Sequence, residues 1–161
     1  MKKTIEQRKK YMNRAIELSL KYMRENKGGP FGAVVVKDDK IIAEGFNCVT
    51  SANDPTAHAE IVAIRKACEQ LNSFQLTDCE IYTSCEPCPM CLAAIYWARP
   101  KIVYFANTKE DAAHIGFDDD YIYHELNKDH EKRKITMLPL MRDEALRAFE
   151  EWEEKEDKII Y

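Results

Sequence analysis

Phe31-Gly32-Ala33-Val34-Val35-Val36 and Ile41-Ile42-Ala43-Glu44-Gly45, separated by Lys37-Asp38-Asp39-Lys40, decide the architecture. Two β-rich runs around a short polar stretch read as a hairpin. On either side the apolar period lengthens. Between Thr4 and Asn26, Ile5, Met12, Ile16, Leu20 and Met23 recur at helical spacing, and Gly28-Gly29 supplies a stop. After the hairpin, 47–56 is a loop rich in Asn, Ser, Asp and Pro, and 57–71 is helical through Ile61, Ile64, Ala67, Cys68 and Leu71. A strand at 80–83, a helix starting near Pro89 and a strand at 101–106 follow. A hairpin followed by strands alternating with helices predicts an α/β fold, a mixed sheet covered by helices. Further on, 135–140 is expected as a strand and 142–154 as a helix.

The chain has 161 residues, 45% of them hydrophobic and 32% charged, with no internal repeat or linker, so a single domain with a real core is expected. The longest apolar run, Cys91 to Ala98, falls far short of the roughly 20 residues of a bilayer span, and Met1-Lys2-Lys3-Thr4 leads into charged sequence. No membrane segment and a cytoplasmic location are the expectation. The formal charge of −4 argues against a broad phosphate-neutralising surface. Charge is uneven: residues 1–27 carry nine Lys/Arg against three Asp/Glu, whereas 141–161 carry four against eight. The basic start reads as a solvated helix face, with an RNA or acidic-subunit contact as the alternative.

Chemistry concentrates in two places. His58-Ala59-Glu60 opens one helix and Pro87-Cys88-Pro89-Met90-Cys91 opens another. Cysteines three apart at a helix start share a face, and the positive end of the dipole favours their thiolates. With His58 they form a three-ligand zinc site whose fourth position is left for water, whose pKa zinc lowers toward about 7. Glu60 lies about 200° around an ideal helix from His58, which suits a job other than ligation. The joint pattern matches H-x-E…P-C-x-x-C of zinc deaminases. The competing arrangement recruits Cys85 as a fourth protein ligand and closes a purely structural site. Cys48, Cys68 and Cys79 are assigned to packing.

Asp54-Pro55-Thr56-Ala57-His58-Ala59-Glu60 and Thr83-Ser84-Cys85-Glu86-Pro87-Cys88-Pro89-Met90-Cys91 resemble the cytidine-deaminase-like superfamily. Within it, Gly29-Pro30-Phe31-Gly32-Ala33, Ala93-Ala94-Ile95-Tyr96-Trp97-Ala98-Arg99, Gly116-Phe117-Asp118-Asp119 and the terminal Tyr161 are similar to bacterial guanine deaminases. The resemblance implies a three-layer α/β/α sandwich with a central five-stranded mixed sheet and one catalytic Zn2+ per chain. It also implies a homodimer that exchanges its C-terminal segment, about 141–161, and conversion of guanine to xanthine and ammonia. Residue by residue, it makes His58, Cys88 and Cys91 the zinc ligands and Glu60 the proton shuttle. Asn47 becomes the loop amide bonded to the purine, Asp119 the acid reading its edge, and Tyr161 the aromatic that closes the pocket.

Phe31 and Trp97 are candidate flat walls, and the backbone N–H groups of Ala59 and Cys88 are candidate stabilisers of developing charge. The run Asp118-Asp119-Asp120 leaves open which carboxylate faces inward. The alternatives are a tRNA-specific adenosine deaminase, favoured by the basic start and opposed by the acidic balance and aromatic terminus, and a cytosine- or cytidine-type deaminase.

Overall fold

The hairpin turns on its two aspartates: Asp38 and Asp39 take φ of 47° and 61°, the left-handed pair required by a two-residue type I′ turn. The computed structural model describes residues 3–161, in two compact units that divide after Asp119. In the first unit, strand β1 (Gly32–Lys37) pairs antiparallel with β2 (Lys40–Phe46) on one side and with β3 (Glu80–Cys85) on the other. Strand β4 (Ile102–Asn107) runs parallel to β3, giving one mixed four-stranded sheet in the order β2-β1-β3-β4. The register slips between Val35 and Val36, where Val35 faces Ala43 but Val36 faces Ile41. Ile42 is thus the extra residue of a bulge.

Because successive side chains on a strand point to opposite faces, β1 and β3 feed two cores. Val34, Val36 and Tyr82 pack under helix α1 (Ile5–Arg24), against Tyr11 and Leu18. Ala33, Val35 and Ile81 pack with Ala59, Ala63 and Ala67 of helix α3 (Ala59–Leu71) and Ile95 and Ala98 of helix α4 (Pro89–Ala98). This unit is therefore an α/β/α sandwich. Helix α1 starts on a capping box: Gln7 N donates to Thr4 Oγ1 at 3.2 Å, and Thr4 N to Gln7 Oε1 at 2.9 Å.

Two glycines set how closely helices approach the sheet. A Cβ on Gly32 would lie 2.3 Å from Ala15 O on α1, and one on Gly45 would lie 2.1 Å from Ala59 O on α3. Both are close backbone contacts that no side chain fits. The 47–56 loop contains one helical turn, α2 (Val49–Ala52), and helix α5 (Lys109–His114) follows β4.

The second unit holds helix α6 (Asp120–Leu126), a short 3-10 turn (His130–Lys132) and helix α7 (Arg142–Glu154), the last with the bounds expected. The Arg133 guanidinium donates to the carbonyls of Glu125, Leu126 and Lys128, capping the end of α6.

The five-stranded expectation is corrected, because the sheet has four strands. Residues 135–140 form no strand. Pro139 removes one ladder donor from that run, and Ile135, Leu138 and Leu140 are exposed instead of lying on a sheet face.

Candidate metal centre

His58 and Cys88 occupy the same structural position, each being the residue before the first turn of a helix. His58 precedes α3 with extended backbone (φ −71°, ψ 156°) and makes no side-chain cap bond, so its ring is available. Cys88 precedes α4, whose first residue, Pro89, needs no N–H partner, and Cys91 N donates to Cys88 Sγ at 3.5 Å. The sheet brings these helix starts together. His58 Nδ1 lies 3.5 Å from Cys88 Sγ and 3.6 Å from Cys91 Sγ, and the three ligand atoms all lie within 4.8 Å of one another. A tetrahedral zinc with bonds of about 2.3 Å to sulfur and about 2.05 Å to nitrogen holds such atoms about 3.6 Å apart. The donor set and its spacing therefore fit zinc.

Within the trio the proton affinities diverge, and the Cys88 sulfur is the anionic centre a cation would meet. Hydrogen bonding from Cys91 first, and from His58 next, pulls the Cys88 thiol down to about 4. Its hydrogen bond to Cys88 and burial push the Cys91 thiol up. His58 is raised, chiefly by its bond to Cys88. Cys85, buried at the end of β3, contacts Thr108 O at 3.5 Å and lies outside the ligand cluster found among the described residues. The four-ligand alternative is not assembled.

Glu60 is 6% exposed and reaches the same place. Its Oε2 lies 3.5 Å from Cys91 Sγ, and its Oε1 accepts from Thr83 Oγ1 at 3.3 Å. The ideal-helix angle between His58 and Glu60 does not apply, because His58 is outside the helix, so histidine and carboxylate converge where the sequence pointed them apart. Burial raises the Glu60 carboxyl above its ordinary range.

Asn47 is buried, and its Oδ1 accepts from Gly29 N at 3.1 Å and Val49 N at 3.4 Å. Those two donors fix the amide orientation and leave its NH2 group to donate. Asp119 is half-buried, and its carboxyl is raised by desolvation first and next by the Cys88 charge. Asp120 instead pairs with His124 at 3.2 Å in α6. Asp119 is coupled electrostatically to the cluster through Cys88 and His58.

Phe31 stacks edge-on to Phe117, with centroids 4.9 Å apart. Trp97 is 62% exposed on α4, whereas Pro89, Cys91, Ile95 and Ala98 are that helix's buried positions. Ala59 is buried in the first turn of α3, Cys88 caps α4, and Tyr161 is exposed at the end of the second unit. Thr83 escaped the sequence reading. Its one signal is a hydroxyl on the buried face of a strand.

The residues 5–107 match the family model described as the cytidine and deoxycytidylate deaminase zinc-binding region. A guanine deaminase of Bacillus subtilis (strain 168) is 54% identical over 151 residues, which are 94% of this chain and 97% of the relative. The X-ray structure of guanine deaminase from Bacillus subtilis superposes with a TM-score of 0.92 at 53% identity, covering 95% of this chain and 98% of that one. A tRNA-specific adenosine deaminase of Aquifex aeolicus is 46% identical over 77 residues, 48% of this chain and 51% of the relative. With its His58, Cys88 and Cys91 at zinc-compatible spacing and the match running through most of its length, the chain belongs to the cytidine and deoxycytidylate deaminase zinc-binding family.

Proposed function

We propose that the protein is a zinc-dependent aminohydrolase that converts guanine and water to xanthine and ammonia. The observation that carries this reading is a buried carboxylate, Glu60, converging on the His58, Cys88 and Cys91 trio. The near full-length similarity to a guanine deaminase supports the substrate, whereas similarity to the tRNA-specific enzyme is confined to about half the chain.

His58, Cys88 and Cys91 hold one zinc per chain in this reading. When bound, zinc supplies the Lewis acidity that makes water a nucleophile near neutral pH. Glu60 takes a proton from the water that attacks C2 and returns one to the adjacent ring nitrogen. It then guides another to the departing amino group, so the carboxyl ends as it began. Burial suits it to this, because a carboxyl with raised proton affinity accepts and releases within one turnover. The Asn47 NH2 group donates to an acceptor on the purine, while Asp119 accepts from its N–H edge. Phe31 and Tyr161 supply flat or closing surfaces, and the N–H groups of Ala59 and Cys88 stabilise developing negative charge.

The whole chain works as one cytoplasmic deaminase domain in a homodimer, with the segment from about 141 to 161 exchanged between subunits. Supporting this are the exposed apolar side chains of α4 (Leu92, Tyr96) and of the C-terminus (Ile159, Ile160). Trp97 then serves the subunit contact as well as the pocket wall. Among the described residues no helix is long and apolar enough to cross a membrane.

Replacing Glu60→Gln tests the proton role. It should leave zinc content unchanged and lower kcat by about a hundred- to ten-thousandfold. Near-normal turnover would refute it.

A further inference from the structure

Glu60 is charged with moving protons, and a proton carrier works only if the right oxygen faces the reacting atoms. In this chain the two oxygens are held differently. Oε2 lies on the Cys91 side, 3.5 Å from Sγ, while Oε1 accepts the Thr83 hydroxyl at 3.3 Å. Thr83 is 1% exposed, away from bulk solvent.

Its backbone is fixed from both sides: Thr83 pairs with Ala33 of β1 and with Phe105 of β4 at the middle of the sheet. Threonine is also stiff at χ1 because it is branched at Cβ, so the hydroxyl has little freedom to leave the carboxylate. Thr83 gives Glu60 a hydroxyl donor on one oxygen, while the Cys91 sulfur lies beside the other.

We propose that Thr83 is the positioning residue for Glu60: its hydroxyl holds Oε1, and thereby turns Oε2 toward the metal centre and the substrate. In this role Thr83 acts only through the carboxylate. The inference rests on the reading of Glu60 as the proton carrier, and the test separates the two.

Thr83→Val keeps the branched shape and deletes the hydroxyl, whereas Thr83→Ser keeps the hydroxyl and deletes the methyl. The valine variant of the purified, zinc-loaded enzyme should lose about ten- to a hundredfold in kcat, the size expected for a lost hydrogen bond to a charged group. KM for guanine and the calorimetric Kd for xanthine should stay within about twofold, since ground-state binding is untouched. Zinc content should remain near that of the wild type, and Thr83→Ser should restore most of kcat.

A merely structural threonine would give a different pattern: the serine variant would fall with the valine variant, and KM or zinc content would move too. If the valine variant does not fold, Thr83→Ala against Thr83→Ser isolates the same hydroxyl, and equal kcat in those two overturns the proposal. So does a Thr83→Val enzyme within about twofold of wild-type kcat. An inactive Glu60→Gln beside a fully active Thr83→Val would discard the positioning role and keep the proton role. An active Glu60→Gln would discard both.

Discussion

Gly45→Ala perturbs the site from outside it. In β2 the missing Cβ of Gly45 is what lets the start of α3 lie against the sheet. An added methyl would stand 2.1 Å from Ala59 O, 2.7 Å from Ala63 N and 3.1 Å from Ala59 C, all backbone atoms. Ordinary contact begins at 3.4 Å, so the carbonyl must withdraw by about 1.3 Å, the difference between 3.4 and 2.1. Side-chain repacking cannot absorb that. The first turn of α3 has to move, and it carries His58 and Glu60, while Cys88 and Cys91 ride on α4.

Overpacking of this kind costs about 1–3 kcal/mol. For a chain of this size that lowers the unfolding midpoint by about 2–12 °C. Misplacing catalytic groups by about 1 Å costs on the order of a hundredfold in rate. Scanning calorimetry, zinc analysis and kcat measured on one preparation check the chain of reasoning. A Gly45→Ala protein with wild-type midpoint, zinc content and kcat would mean that the α3–β2 contact does not set the site's geometry.

Two further outcomes follow from side-chain partners. Asn47→Asp keeps the oxygen that Gly29 N and Val49 N bind but turns the remaining donor into a second acceptor. KM for guanine should rise at least about tenfold with the fold intact, and unchanged KM would remove Asn47 from the purine contact. On the opposite side of the sheet, Arg14 binds Glu44 in two bonds of 2.7 and 2.8 Å, and the hydrogen bond from Arg14 is the main reason the Glu44 carboxyl sits below its usual range. Because the folded pKa is depressed, this stabilisation is present above the unfolded value near 4.3 and is lost as pH falls through the folded one. With side chains 39% and 36% exposed, the pair is worth at most about 1 kcal/mol after solvent screening. Glu44→Gln should therefore lower stability at pH 7 by no more than that, and the gap from wild type should narrow as pH falls below the unfolded value near 4.3 and close below the depressed folded one. Urea titrations at the two pH values measure it, and a gap that widens in acid would contradict the assignment.

How much of this was legible in the sequence depends on what each feature needs. The clustering of His58, Cys88 and Cys91 was, because a metal-compatible set on helix starts imposes fixed spacings that few other demands imitate. Glu60 was legible as a residue but not in direction, since His58 lies outside the helix from which its angle was reckoned. Helix α7 was found to the residue, yet α5 and α6, of six and seven residues, are too short to show a period. The signal for α5 was its capping box, Thr108 with Asp111. Residues 135–140 looked like a strand because an apolar run reads the same whether or not a neighbouring strand is there to pair with it. Thr83 was invisible for the opposite reason: threonine is favoured in any strand, so nothing marked its hydroxyl as aimed at a carboxylate.

Deamination of guanine with zinc is the chemistry this site supports best. Incubating the purified protein with guanine, adenosine, cytosine and a tRNA anticodon stem in parallel, and measuring ammonia and the product base, tests it most directly. Xanthine and ammonia are expected from guanine alone, abolished by a chelator and restored by zinc. Inosine from the tRNA or uracil from cytosine with no xanthine from guanine, or xanthine production indifferent to metal removal, would contradict that reading.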